Sequence, residues 1–258
     1  MKKAIVLFSV LFVLLFAASV CSAEETFTVG FDQEFPPYGF VNDKGEFDGY
    51  DLNFAAEVAK RNGWKIVYQP IDWDAKDMEL DSGTIDCIWN GFTMSDERLN
   101  QYTWTKPYQD NSQIFIVKAG SGITTFDDLK GKSITTQADS SALDALQNDE
   151  NKDLLNSFKE LVTIPDYNTA FMNLEAGSTD AIAMDINVAK FQIQGRENEF
   201  KILDQVLSPE LYAVGFKLGN TELRDKVQKT IDEMVADGTC KKLSEKWFNG
   251  EDTCIYSK

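Results

Sequence analysis

Histidine is absent from this chain of 258 residues, and no other feature excludes as much. Without imidazole there is no Ser-His-Asp or Cys-His unit, no H-E-x-x-H zinc site and no imidazole proton shuttle. Cations are scarce too: 25 Lys+Arg stand against 42 Asp+Glu, a formal net charge of −17. Nucleic-acid phosphates are held by clustered Lys and Arg, so this balance argues against a nucleic-acid partner. No P-loop, G-x-G-x-x-G, C-x-x-C or G-x-S-x-G motif occurs. Asp72-x-Asp74 opens like a calcium loop, but Lys76 and the missing glycine break it. No catalytic residue, metal or cofactor is therefore expected. Carboxylate pairs are unavoidable among 42 acids, and most belong to a solvated surface.

The composition is that of a globular chain, 43% hydrophobic and 12% aromatic. Its length suits one large domain or two lobes of about 100–150 residues. Lys2 and Lys3 precede the uncharged run 4–20, and Cys21-Ser22-Ala23 leads into Glu24-Glu25. A positive start, an apolar stretch and a small-residue exit predict a secretory signal over 1–23. Cleavage after Ala23 is favoured over a lipid anchor on Cys21, because Val20 spoils the lipoprotein box. No later run is long and apolar enough to span a bilayer, so the mature chain is expected in the periplasm or on the outer face of the cytoplasmic membrane. Export allows Cys240 and Cys254 to pair. That bond would close a loop of about 15 residues, worth roughly 3 kcal/mol in the chain-entropy model. Cys87, in the apolar run 85–89, reads as a buried thiol.

Short β-branched runs alternate with amphipathic windows, which predicts an α/β fold. Strands are expected at 27–31, 65–68 and 85–89, then at 114–117, 133–136, 162–164 and 181–184, and late at 212–216. Helices are expected at 50–62 with Asp51 as cap, 77–82, 142–147, 168–176 capped by Asn168, from Thr221 to Gly238, and at 238–248. The order β-α-β-α-β occurs twice, consistent with two similar lobes. The terminal helices find their simplest partner in the first sheet, which makes lobe one discontinuous.

One segment concentrates chemistry: Trp89-Asn90-Gly91-Phe92-Thr93-Met94-Ser95-Asp96-Glu97-Arg98. A buried strand ends in glycine, then offers two hydroxyls and one arginine, a set suited to gripping a carboxylate. Asp96-Glu97-Arg98 can begin a helix, whose free amides attract anions. The same residues also read as a surface arginine in a capped turn.

Here the chain resembles the family-3 solute-binding proteins, the polar amino-acid receptors of ABC importers. The likeness rests on Phe47-Asp48-Gly49-Tyr50-Asp51-Leu52, Gly91-x-Thr93-x-Ser95-x-Glu97-Arg98, Thr105-x-Pro107-Tyr108, Phe126-x-x-Leu129-x-Gly131-Lys132, Gln137-Ala138-x-Ser140-Ser141-Ala142 and Asp180-Ala181-x-x-x-Asp185. It covers essentially the whole mature chain. The resemblance implies a type II periplasmic-binding-protein fold with lobe one at 24–113 and 212–258 and lobe two inserted at 114–211. Two hinge crossings are expected, near 113–117 and 211–214. A free polar L-amino acid is the implied ligand, a membrane permease the implied partner, and the chain a monomer.

By the same resemblance, Arg98 holds the ligand α-carboxylate with Thr93 and Ser141. Gly91 offers a carbonyl to the α-ammonium, and Asp185 is its charge partner from lobe two. Asp32 contacts a polar or cationic side chain, which Phe35 and Trp73 sandwich; core aromatics are the plainer reading of those two. Trp89 and Asn90 line the pocket or support it. Asp139 departs from the family pattern, bringing a negative charge near the carboxylate site where glycine is usual; Met184 gives no polar contact. Arginine, lysine or glutamine lead as ligands, with histidine or cystine behind. The rivals are a dehydratase-like enzyme using Glu34 or Asp74, and a sensory binding module.

Overall fold

The computed structural model describes residues 25–255. The expected signal segment, with Cys21, lies outside the described residues. The chain opens with β1 (Thr26–Phe31), β2 (Glu34–Phe35), β3 (Gly39–Val41), β4 (Phe47–Asp48) and α1 (Tyr50–Asn62). Then come β5 (Lys65–Pro70), α2 (Lys76–Ser82), β6 (Cys87–Ile88) and β7 (Tyr102–Trp104). The middle of the chain forms β8 (Gln109–Lys118), β9 (Ser133–Gln137), α3 (Ser141–Gln147), α4 (Lys152–Ser157), β10 (Glu160–Ile164), α5 (Tyr167–Ala176), β11 (Ala181–Asp185), α6 (Ile186–Gln192) and β12 (Phe200–Tyr212). It closes with β13 (Gly215–Lys217), α7 (Thr221–Ala236) and α8 (Thr239–Trp247).

Two five-stranded sheets result, ordered β5-β1-β6-β13-β7 and β10-β9-β11-β8-β12, with β2-β3-β4 as a small third sheet. In the first, β1 runs parallel to β5 and β6, and the late strand β13 inserts antiparallel between β6 and β7. The first sheet thus draws strands from both ends of the chain, and the second is built entirely from the middle. The chain passes between them just before β8 and just after β12, which pair antiparallel down to Gln109 and Tyr212.

Helix α1 forms because Leu52, Ala55, Val58 and Ala59 share one buried face, and it stops at Gly63, whose φ of 71° is left-handed. Helix α7 presents Val227, Ile231 and Met234 at helical spacing, all fully buried in the core that contains β1 and α1. Each such side chain stabilises by about 1.5–3 kcal/mol. Arg61 ties the layer together, bonding Asp237 at 2.7 Å and Thr239 at 3.0 Å. The terminal helices therefore cover the first sheet, as their apolar faces require.

Several local readings are corrected. Gly49, not Asp51, occupies the cap position of α1; Asp51 is fully buried and bonds elsewhere. Asp166, not Asn168, caps α5, its carboxylate accepting from Thr169 N at 2.7 Å. Residues 96–101 form turns rather than a helix. The expected strand 212–216 divides between two sheets, Tyr212 ending β12 and Gly215 beginning β13. Cys87 is buried as expected. Cys240 and Cys254 are thiols in this structure, both fully buried, and their mutual hydrogen bond is the leading cause that holds the Cys240 thiol far above its usual range. Among the described residues no helix is long and apolar enough to cross a membrane.

Candidate functional site

The residues on which the carboxylate site depends follow β6, where the buried strand stops and the chain turns at Gly91. Gly91 has a φ of 55°, and a Cβ there would lie 2.9 Å from the Phe35 ring and 3.1 Å from that of Tyr212. Glycine is thus required both by the backbone and by the aromatic walls. Its N–H donates to Asp51 Oδ2 at 2.6 Å, and the Tyr108 hydroxyl donates to the same oxygen at 2.7 Å. Burial pushes Asp51 up to about 7 against both hydrogen bonds. Asp51 is therefore an anchor of the Gly91 turn, a role its place near a helix start concealed.

Beyond Gly91 the chain is stitched to the end of β12: Ala213 N donates to Phe92 O at 3.0 Å and Met94 N to Leu211 O at 2.9 Å. This fixes Thr93 between the two lobes. Arg98 emerges from the following turn with 6% exposure, its guanidinium 5.3 Å from the Phe92 ring centroid. From the second sheet, β9 delivers Gln137, the start of α3 delivers Ser141 with Ser140 capping Leu143 N at 3.2 Å, and β11 ends on Asp185.

These elements close on one small cavity of about 10 Å³. Phe35, Trp73, Gly91, Thr93, Arg98, Ser141 and Asp185, seven of the eight residues singled out from the sequence, line it, and so do Asn90, Gln137 and Ser140. Phe35 and Trp73 line the cavity and are 6% and 9% exposed, packed as core aromatics. Asn90 is wall; Trp89 is fully buried support, packed on Phe54 at 5.2 Å between ring centroids.

Asp32 is the exception. It lies one layer behind the cavity wall, its Oδ2 accepting from Gln137 Nε2 at 2.7 Å and its N–H donating to Asn90 Oδ1 at 3.1 Å. Burial raises Asp32 to about 6, with Asp166 and Glu34 adding to the rise and the bonds from Glu34 N and Gln137 opposing it. A neighbouring groove holds Asp32 with Glu34, Asp72, Asp74, Glu79 and Asp166 and no Lys or Arg. Glu34 and Asp74, the only acids considered for a dehydratase, lie in that groove and do not line the cavity.

The lobes meet through charged and polar contacts. Arg98 Nη2 donates to Asp144 Oδ2 at 2.8 Å and to the Asp139 carbonyl at 3.2 Å. Lys76 pairs with the Asp139 carboxylate, and Asn168 donates to Glu34. Lys76 is only 2% exposed and sits 5.3 Å from the Trp73 ring centroid. The negative charge that Asp139 brings to this loop is thus met by a lysine from the other lobe. Asp139 holds a φ of 54°, in the left-handed region that favours glycine. Sequence reasoning missed Lys76, Asp144 and Gln137. Lys76 enters the sequence reading only as the residue that breaks a calcium-loop pattern, and only the fold turns it inward.

A second group lies on the β8 side. Asp185 Oδ1 accepts from Asn111 Nδ2 at 2.7 Å and Gln113 Nε2 at 2.8 Å, and also from the Tyr212 hydroxyl. Glu210, on β12, accepts from the same two amides and from Thr93 Oγ1 at 3.0 Å. Burial raises both carboxyls, and the charge of Glu210 adds to the rise at Asp185. Nothing in the segment Leu207-Ser208-Pro209-Glu210 marks Glu210 as a site residue in sequence.

Arranged this way, the cavity offers a guanidinium and hydroxyls on one side and a carboxylate on the other, the complement of a zwitterion. Comparison with known proteins agrees. The L-cystine-binding protein TcyJ of Escherichia coli K12 is 32% identical over 231 residues, 88% of this chain and 84% of that protein. A Streptococcus pneumoniae ABC uptake transporter substrate-binding protein with bound histidine superposes with a TM-score of 0.85 at 33% identity, covering 89% of this chain and 94% of that one. The structure of Tv2483 bound to L-arginine gives 0.85 at 28% identity, covering 90% and 94%. The fold is thus that of the type II periplasmic amino-acid-binding proteins. With residues 27–250 also matching the model of the bacterial extracellular solute-binding proteins, family 3, the chain belongs to that family.

Proposed function

We propose that the protein is the extracytoplasmic receptor of an ABC amino-acid importer, in which lobe one (24–113 and 212–258) and lobe two (114–211) close on one polar L-amino acid. The observation that carries this reading is the meeting of Arg98 from the first lobe and Asp185 from the second around a single cavity. A zwitterion placed there contacts both lobes at once, so it favours the closed arrangement by the contacts that the open one lacks. Arg98 takes the α-carboxylate with Thr93 and Ser141 assisting; Gly91 O and Asp185 take the α-ammonium. The side chain then runs between Phe35 and Trp73 towards the layer of Gln137 and Asp32. The acidic groove behind that layer favours a cationic end, as in arginine or lysine; cystine, which carries a second ammonium, meets the same requirement. Names among the relatives point the same way, since the matched proteins bind cystine, arginine and histidine. The role is binding and delivery, with a membrane permease as partner. Arg98→Ala tests it: amino-acid binding is lost while circular dichroism shows the fold intact. Near-normal affinity in that variant overturns the assignment.

A further inference from the structure

We infer that Glu210 is a second acidic partner for the ligand ammonium, and that Glu210 and Asp185 together release a shared proton when that ammonium binds. This rests on the receptor reading above and extends it to a residue outside the family motifs quoted from the sequence.

The geometry starts from β8. Asn111 and Gln113 alternate along the strand and so project to one face, where each amide nitrogen donates to both acids. Asn111 Nδ2 lies 2.7 Å from Asp185 Oδ1 and 3.1 Å from Glu210 Oε2; Gln113 Nε2 lies 2.8 and 2.9 Å from the same oxygens. Two carboxylates that share two donors stand side by side, and every donor to them is neutral. The cations of the cleft are engaged elsewhere, Arg98 with Asp144 and Lys76 with Asp139. Facing the pair are Tyr212 from β12, Tyr38 after β2 and Tyr167 at the start of α5, all neutral while protonated. Glu210 is not in the wall of the ligand cavity itself; it lines the adjoining groove together with Thr93 and Ser141, which belong to both.

Two adjacent acids in such surroundings retain a proton between them until a cation arrives. The site is also short of donors. Asn111 and Gln113, 6% and 0% exposed, each leave the amide oxygen without a hydrogen-bond partner among the described residues. An ammonium supplies three N–H donors and one positive charge, enough for both carboxylates and one further acceptor. The exchange balances: the protonated pair plus R–NH3⁺ gives the ion-paired complex plus one proton to solvent.

The sign follows from linkage. Binding that expels a proton weakens as pH falls, by about tenfold per pH unit below the titration range of the pair. Isothermal calorimetry tests this with L-arginine, L-lysine, L-glutamine, L-histidine and L-cystine near neutral pH, in phosphate and in Tris, which differ widely in ionisation enthalpy. The expected result is an amino acid whose binding heat differs between the two buffers by the amount for release of up to one proton. Glu210→Gln still binds it but loses the buffer difference and the pH slope; Asp32→Asn keeps the release. Equal heats in both buffers for the wild-type protein overturn the proposal alone. Release that survives Glu210→Gln and vanishes in Asp32→Asn also overturns it, assigning the proton to the side-chain subsite. Failure of all five amino acids to bind overturns the receptor reading with it.

Discussion

Asp51→Asn is the substitution whose effect the structure specifies most closely. The side chain is fully buried beneath the Gly91 turn, with one oxygen taking the Gly91 N–H at 2.6 Å and the Tyr108 hydroxyl at 2.7 Å. The other oxygen makes no hydrogen bond of good geometry, although the Trp89 indole N–H also favours the ionised carboxyl, so an amide that keeps its oxygen towards Gly91 and Tyr108 breaks neither of those two bonds. Burial raises this carboxyl from the ordinary 3.8 to about 7, so holding it ionised costs roughly 4 kcal/mol. A raised acid contributes stability that is complete below the ordinary carboxylate range and is lost as pH climbs towards 7. Asparagine resembles the protonated carboxyl and does not titrate. Urea denaturation at acid pH therefore gives similar stabilities for the two proteins. Above neutral pH the variant is the more stable, by up to about 4 kcal/mol. Comparing two chains that differ at one site removes the common contributions of Asp32, Asp185 and Glu210. A variant several kcal/mol less stable than wild type above neutral pH would refute the reasoning, since it would mean that the two donors hold an ionised carboxylate there.

Three further outcomes are expected. Asp139→Gly leaves the buried Lys76 ammonium without its cross-lobe partner, so ligand affinity falls by about tenfold or more, and the loss shrinks at high salt; unchanged affinity at low salt removes Lys76 and Asp139 from closure. Asp32→Asn weakens a cationic amino acid more than a neutral one in competition binding, because the charge behind Gln137 is lost; equal losses count against selectivity by charge. Iodoacetamide mass mapping of the exported protein, unfolded in denaturant without reductant so that burial no longer shields the two thiols, leaves Cys240 and Cys254 unlabelled when the expected bond has formed; labelling of both excludes the bond.

The alternation of elements and the cleft residues were legible because both are written in local pattern. Val227, Ile231 and Met234 declare the face of α7 by spacing alone. Arg98, Thr93 and Gly91 stand within eight residues, so their joint chemistry is visible before any fold is known. What stayed hidden depends on contacts across long stretches of chain. Asp51 reads as a cap because acids favour helix starts, yet its partners Gly91 and Tyr108 lie 40 and 57 residues away. Glu210 follows a proline in a strand with register shifts, where alternation is blurred. The turn at 96–101 misled for a different reason: Asp-Glu-Arg suits a helix start, but Trp104 bonds the Arg98 carbonyl at 3.3 Å and folds the chain back. Asp32 was placed at the ligand by resemblance, and the structure interposes Gln137 and Asn90.

The central claim is that Arg98 and Asp185 recognise the two charged groups of an α-amino acid. Its most direct measurement is calorimetric titration of the chain from Glu24 onward with the common L-amino acids and cystine, followed by the α-amide of the tightest binder, which lacks the carboxylate. One polar amino acid binding at one site per chain, with the amide binding at least roughly a hundredfold more weakly, is the expected result. Absence of binding by every amino acid, or equal affinity for acid and amide, would contradict it.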